Sequence, residues 1–267
     1  MIKRVVGALT VALAGAALVV TPASAQVTAD FSAIVALDNC SGSVVRPPSA
    51  TDNDPALVMS NGHCVKLMGA NEVIVNQATS RTFTLLGPSG QSAGTLRATK
   101  LAYATMKSTD VSFYQLSATY AQIQQQYHTR ALDMLATHPT QGTSIQVVSG
   151  YWKRIYSCSI DGFAYRVREA NWTWNDSVRY TRSCNVIGGT SGSPVIDTAT
   201  NKVVAVNNTI NESGGRCTMN NPCEVSQSGQ VTVRSGIGYA QETYNIPACI
   251  TTGNQFNLNA PGCTLPK

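Results

Sequence analysis

The chain has 267 residues, of which 43% are hydrophobic and only 12% charged, and its formal net charge is +5. That length suffices for one large domain or two small ones with a real core, and so low a charged share excludes a charge-driven, disordered chain. Lys3 and Arg4 lie in a segment read below as removed, which leaves 17 basic against 14 acidic residues. With no Lys/Arg run and no basic-aromatic interleaving, neither nucleic acid nor a membrane is expected as a partner.

Residues 1–25 read as a secretion signal. Lys3 and Arg4 form the positive start, Val5 to Val20 is an apolar run, and Ala23-Ser24-Ala25 matches the small-x-small cleavage pattern. The apolar run is shorter than the roughly 20 residues of a membrane span, so the expectation is a secreted, extracellular protein starting near Gln26. Short β-branched and aromatic runs follow, cut by Gly, Ser, Asn and Pro: Glu72–Asn76, Arg81–Leu86, Val111–Leu116, Ser144–Ser149, Phe163–Val167, Val195–Ile196, Lys202–Val206 and Gln230–Val233. Strands of this length and spacing predict antiparallel barrels or sandwiches. One stretch differs: from Thr119 to Ala136, Tyr120, Ile123, Tyr127, Ala131 and Leu135 recur at helical spacing, which predicts a helix or helical linker between two β halves.

All eight cysteines, at 40, 64, 158, 184, 217, 223, 249 and 263, follow the signal, and an even count in an exported chain points to disulfides. A structural zinc site would need Cys or His ligands at close spacing. Five residues separate Cys217 from Cys223 and no histidine follows His138, so no metal and no other cofactor is expected.

The segment Ile187-Gly188-Gly189-Thr190-Ser191-Gly192-Ser193-Pro194-Val195-Ile196 describes a sharp turn presenting one hydroxyl ahead of an apolar strand. A serine alcohol needs an adjacent base to act as a nucleophile, and backbone N–H donors aimed at the developing oxyanion, here Gly189 and Ser191. Three histidines could be the base. His128 falls in the helical stretch and His138 in a polar loop, whereas His63 follows an apolar run and adjoins Cys64. Asp110, at the head of Val111–Leu116, is the best carboxylate to orient an imidazole; Asp38, Asp52 and Asp54 are rivals, the last two in a turn composition. The order His63…Asp110…Ser191 excludes the Ser…Asp…His arrangement of α/β-hydrolases and matches the chymotrypsin order.

Gly62-His63-Cys64, Thr109-Asp110-Val111 and Gly189-Thr190-Ser191-Gly192-Ser193-Pro194 together resemble the chymotrypsin/trypsin superfamily of serine proteases, over about residues 34–245. The last motif is similar to that of secreted bacterial members, including the glutamyl-endopeptidase branch. The resemblance implies an all-β chain with two antiparallel β-barrels and the active site in the cleft between them. The expected organisation is a first barrel over 26–117, a linker over 118–136, a second barrel over 137–245 and a disulfide-closed tail over 246–267. It implies Cys40–Cys64 and Cys158–Cys184 bridges, leaving Cys217–Cys223 and Cys249–Cys263 by proximity.

It further implies an endopeptidase that acts on peptide or protein substrates through an acyl-enzyme on Ser191, with a His63-Asp110-Ser191 triad and the Gly189 and Ser191 N–H groups as the oxyanion hole; a monomer is expected. An esterase with the same triad and an inactive binding module of the same fold are the alternatives. The substrate pocket should be walled by Asn185, Asn207, Asn208 and Thr209. Two features depart from the relatives. Thr190 stands where clipping-activated members carry an Asp, so no such activation is expected. Asn185 stands where Lys/Arg-cleaving members carry a pocket carboxylate, and Asn207 where glutamate-cleaving members carry a His.

Overall fold

The computed structural model describes residues 1–2 and 29–267, so the expected secretion signal lies, but for Met1 and Ile2, outside the described residues. The first half contains β1 (Ile34–Ala36), β2 (Ser41–Arg46), β3 (Pro55–Ser60), β4 (Val73–Ala78), β5 (Thr82–Leu86), β6 (Ser92–Thr105) and β7 (Val111–Thr119). They pair in the order β1-β5-β6-β7-β3-β2, and β2 pairs back to β1, closing a ring of six strands with β4 added on β6. β5 shows the expected alternation, with Phe83 and Leu85 inside and Thr82 and Thr84 outside.

β2, β3 and β7 are instead buried on both faces. Val44, Val58 and Tyr114 fill the barrel interior. The alternate residues Val45, Leu57, Met59 and Phe113 pack outward with Ile246, Ile250, Phe256 and Leu265 from the end of the chain.

The helix α1 (Tyr120–Tyr127) starts at a Thr119–Gln122 capping box and buries Tyr120 and Ile123. It is shorter than the helical periodicity to Ala136 predicts. His128 takes the left-handed conformation (φ 53°) and ends it, and β8 (Leu132–Asp133) pairs in parallel with Val45 and Arg46 of β2. A sheet edge left open by β1 has outcompeted the intrinsic periodicity.

The second half contains β9 (Ser144–Ser149), β10 (Arg154–Glu169), β11 (Trp172–Tyr180), β12 (Pro194–Asp197), β13 (Lys202–Ile210), β14 (Cys223–Val225), β15 (Val231–Val233) and β16 (Gly238–Glu242). The order β11-β16-β13-β12-β9-β10 closes through a β10–β11 pairing into a second six-strand ring, with β14 and β15 extending from β10. Ile145, Val147, Val178, Tyr180, Val195 and Ala205 fill it. The chain is thus all-β, a double barrel of the chymotrypsin type with one short helix.

Four disulfides join Cys40–Cys64, Cys158–Cys184, Cys217–Cys223 and Cys249–Cys263. Beyond the second barrel, β17 (Ile250–Thr251) and β18 (Gln255–Phe256) form a small hairpin that returns to the first barrel. There Phe256 stacks on Tyr103 at 5.5 Å, Asn254 Nδ2 donates to the Pro55 carbonyl, and Tyr103 Oη donates to the Pro266 carbonyl. No helix of the described residues is long and apolar enough to cross a membrane.

Candidate active site

The first barrel supplies an imidazole and a carboxylate. β3 ends at Ser60, and the following turn is closed by hydrogen bonds from Cys64 N to the Asn61 carbonyl and from Val65 N to the Gly62 carbonyl. The Cys40–Cys64 bond ties this turn to the start of β2. Gly62 is required by close approach: a Cβ there would lie 2.2 Å from the Thr105 carbonyl oxygen and 3.0 Å from Asp110 Oδ1.

Asp110 is fully buried just before β7, and both its carboxylate oxygens face His63. The His63 backbone N–H donates to Oδ1 at 3.0 Å, and Nδ1 lies 2.7 Å from Oδ2. An ionised carboxylate only accepts, so Nδ1 carries the proton and Nε2 is left with a lone pair. Asn61 Nδ2 donates to the Asp110 carbonyl at 2.8 Å, and Ser112 Oγ donates to the Asn61 carbonyl. Burial of the imidazole opposes its protonation. The charge and hydrogen bond of Asp110, helped by Glu169, outweigh this and hold the His63 pKa above its ordinary value.

The second barrel supplies the serine. Between the Arg182–Cys184 turn and β12, Thr190 N donates to the Ile187 carbonyl, Ser193 N to the Thr190 carbonyl and Gly192 N to the Asn207 carbonyl. Ser41 N donates to the Ser191 carbonyl at 2.8 Å, fastening the turn to the first barrel. Gly189 has φ 84°, which a side chain would resist.

The N–H groups of Gly189 and Ser191 have no hydrogen-bond partner among the described residues. Trp152 Nε1 donates to the Gly188 carbonyl at 2.8 Å. The C=O and N–H of one planar peptide point in opposite directions, so the indole holds the Gly189 N–H turned away from itself. Ser191 Oγ donates to the Asn208 carbonyl at 3.2 Å, not to the imidazole.

His63, Asp110 and Ser191 line one cavity of about 180 Å³, together with Asn207, Asn208 and Thr209. Asn207 is buried, its Nδ2 donating to Thr190 Oγ1 and its Oδ1 accepting from Tyr180 Oη. Asn208 has both side-chain polar atoms buried and unpartnered. Asn185, expected in the pocket wall, is not among the lining residues. It is exposed in the left-handed conformation that closes the Arg182–Cys184 turn, and its amide donates to the Ser183 carbonyl. The rival aspartates stand elsewhere: Asp38 pairs with Arg81, Asp52 with Arg46, and Asp54 accepts from Thr51 N.

A second carboxylate lines the cavity that local sequence patterning did not single out. Glu169, at the end of β10, is 5% exposed and accepts from Thr209 Oγ1 at 2.6 Å and Asn220 N at 2.8 Å. Burial raises its pKa, and those two hydrogen bonds oppose the rise. In sequence it is an ordinary charged residue beside a hairpin turn. The hairpin reaches the cleft because Trp172 Nε1 donates to the Met68 carbonyl and Trp174 Nε1 to the Met106 carbonyl, both in the first barrel.

Residues 40–206 match the model of the trypsin-like peptidase domain. The chain belongs to this family. It is therefore a serine-type endopeptidase by family, with the double-barrel fold that goes with it. No curated protein matches the chain. Solved structures of the same fold include the inactive form of the Rv3671c protease, with 15% identity over 80% of this chain and 85% of that one and a TM-score of 0.50. The active form of Rv3671c from M. tuberculosis has 17% identity over 88% and 81% with a TM-score of 0.48. A Glu endopeptidase has 14% identity over 79% and 85% with a TM-score of 0.45. At 15% identity the likeness to the inactive form speaks for the fold alone.

Proposed function

We propose that this trypsin-like peptidase is a secreted endopeptidase that cleaves peptide bonds through an acyl-enzyme on Ser191. The observation that carries this reading is the Asp110–His63 pair sharing one cavity with Ser191, beside a turn whose Gly189 and Ser191 N–H groups are unpartnered among the described residues. The Ser191 hydroxyl turns from the Asn208 carbonyl to His63 Nε2, gives up its proton there, and Oγ attacks the substrate carbonyl. The oxyanion is met by the Gly189 and Ser191 N–H groups. Nε2 then returns the proton to the leaving amine, and water, deprotonated by the same nitrogen, releases the acid from Oγ. Asp110 holds the tautomer and stabilises the imidazolium.

A peptide also has a place to lie. β12 pairs with β13 only as far as Val206, so residues 208–210 offer an open strand edge where they line the cavity. An extended substrate added there as a strand would give its own N–H to the Asn208 carbonyl and free the Ser191 hydroxyl. Thr190 supports a site that needs no clipping step. Its hydroxyl donates to the Ile187 carbonyl and accepts from Asn207, so neutral hydrogen bonds brace the turn where an ammonium–carboxylate pair would otherwise be needed. Four disulfides fit an oxidising, extracellular location.

The test is covalent labelling of the purified protein by a fluorophosphonate, with Ser191→Ala alongside. Labelling of the wild type alone supports the reading, and turnover of casein above that of a simple acyl ester separates endopeptidase from esterase. A folded, disulfide-intact sample that does not label overturns it in favour of a binding module.

A further inference from the structure

His138, Asp176 and Glu242 come together on the second barrel away from the catalytic cavity, which none of them lines. His138 lies in the loop between β8 and β9, Asp176 is within β11, and Glu242 ends β16. One ligand atom from each lies within 4.8 Å of the others. The imidazole is held between Phe163 and Tyr244, with ring centroids 4.4 and 4.9 Å away. His138 Nδ1 is 2.7 Å from the Pro139 carbonyl, which can only accept, so Nδ1 carries a proton and Nε2 is the ring nitrogen turned toward the carboxylates. A ring proton fixed on backbone in this way is the usual support of a metal-binding histidine.

The distances fit a shared metal ion better than a tight hydrogen bond. Nε2 lies 3.4 Å from Asp176 Oδ1 and from Asp176 Oδ2, and 3.5 Å from Glu242 Oε1. A charge-assisted hydrogen bond would draw such a pair to about 2.7–2.9 Å. Ligand atoms on a tetrahedral Zn²⁺ with bonds of about 2.0–2.1 Å stand about 3.3–3.4 Å apart. Glu242 adds an independent sign: its side chain is 5% exposed, and neither carboxylate oxygen has a hydrogen-bond partner. Apart from His138, no cationic side chain pairs with Asp176 or Glu242 among the described residues. Tyr244 Oη donates to Asp176 Oδ2 at 3.1 Å and steadies that carboxylate.

We propose that His138, Asp176 and Glu242 form a structural Zn²⁺ site that clips the loop after the first barrel onto β11 and β16 of the second. One imidazole with two carboxylates suits Zn²⁺ better than Ca²⁺ or Mg²⁺, which favour all-oxygen shells. Cys40 and Cys64, which flank His63 in the other cluster of metal-ligating residues, are excluded as ligands because they are bonded to each other.

The test uses the metal-free full protein titrated with ZnCl₂ by calorimetry, with melting followed in parallel. One equivalent should bind with a Kd in the micromolar range or tighter, and Zn²⁺ at about 100 times Kd should raise Tm by roughly 5 °C or more. CaCl₂ should do neither. Glu242→Gln, which keeps the shape, should weaken binding at least about tenfold and remove the Tm shift, whereas His63→Ala should leave both intact. Should Glu242→Gln fail to fold, Asp176→Asn at the half-exposed carboxylate decides in its place. Binding that survives these substitutions but is lost in His63→Ala, an equal response to CaCl₂, or no saturable binding overturns the proposal.

Discussion

Replacing Trp152 by Phe would test whether the indole holds in place the Gly188–Gly189 peptide, whose N–H is proposed to meet the oxyanion. The substitution keeps an aromatic ring at the position and removes the Nε1–H that donates to the Gly188 carbonyl at 2.8 Å, together with part of the indole's bulk. A neutral hydrogen bond contributes about 0.5–1.5 kcal/mol net. Trp152 is 49% exposed, so water can partly replace it. The expected loss is about three- to tenfold in kcat. That lies far below the roughly 10²–10³-fold cost of losing an oxyanion donor outright, because the Gly189 N–H remains but is less firmly aimed. The oxyanion exists only along the reaction path, so KM should stay within about twofold. Steady-state kinetics on a peptide amide, with Tm as a check on folding, measures both. A folded variant with kcat unchanged within twofold, or one whose loss falls wholly in KM, would refute the argument. Gly189→Ala should be more damaging, since its Cβ would lie 2.9 Å from Trp152 Nε1 at φ 84°.

Four further outcomes are expected. The Asp110 charge holds the His63 pKa above the ordinary histidine value, and the proposed mechanism requires the unprotonated ring, so kcat/KM should fall as pH drops through that raised value. Glu169→Gln removes a charge that also favours the imidazolium and should move this acid limb down by about 0.3–1 pH unit; an unmoved or raised limb would show that its field does not reach the ring. Phe256→Ala empties a buried position between Tyr103 and Phe113 and should cost about 3 kcal/mol, or roughly 6–12 °C in Tm, with kcat unchanged; a matching fall in kcat would mean that the tail positions the site. Asn208→Ala exposes the role of the unpartnered amide in the cavity: KM for the best peptide in a library should rise several-fold while kcat for a small ester holds, and unchanged peptide selectivity would remove Asn208 from the pocket.

Much of this protein could be read from local pattern. The β runs, the punctuating glycines and the turns around His63, Asp110 and Ser191 are short-range signals, because side-chain alternation and turn chemistry act over a few residues. Family resemblance carried them to a double barrel, which the strand pairings display. Features set by distant chain segments were out of reach. The helical period running to Leu135 gave no warning that residues 132–133 would find the edge of β2. Asn185 aligned with a pocket position, yet its left-handed backbone faces it outward. Glu169 meets the cavity only because two tryptophans dock its hairpin on the other barrel. His138, Asp176 and Glu242 share no motif and converge only once β11 and β16 are paired. The last residues cover β2, β3 and β7, which therefore carry apolar side chains on both faces. Sequence by itself determined the elements and the reactive groups, whose physics is local; the tertiary structure alone decided which buried charges and strand edges would meet, because that depends on closing both barrels at once.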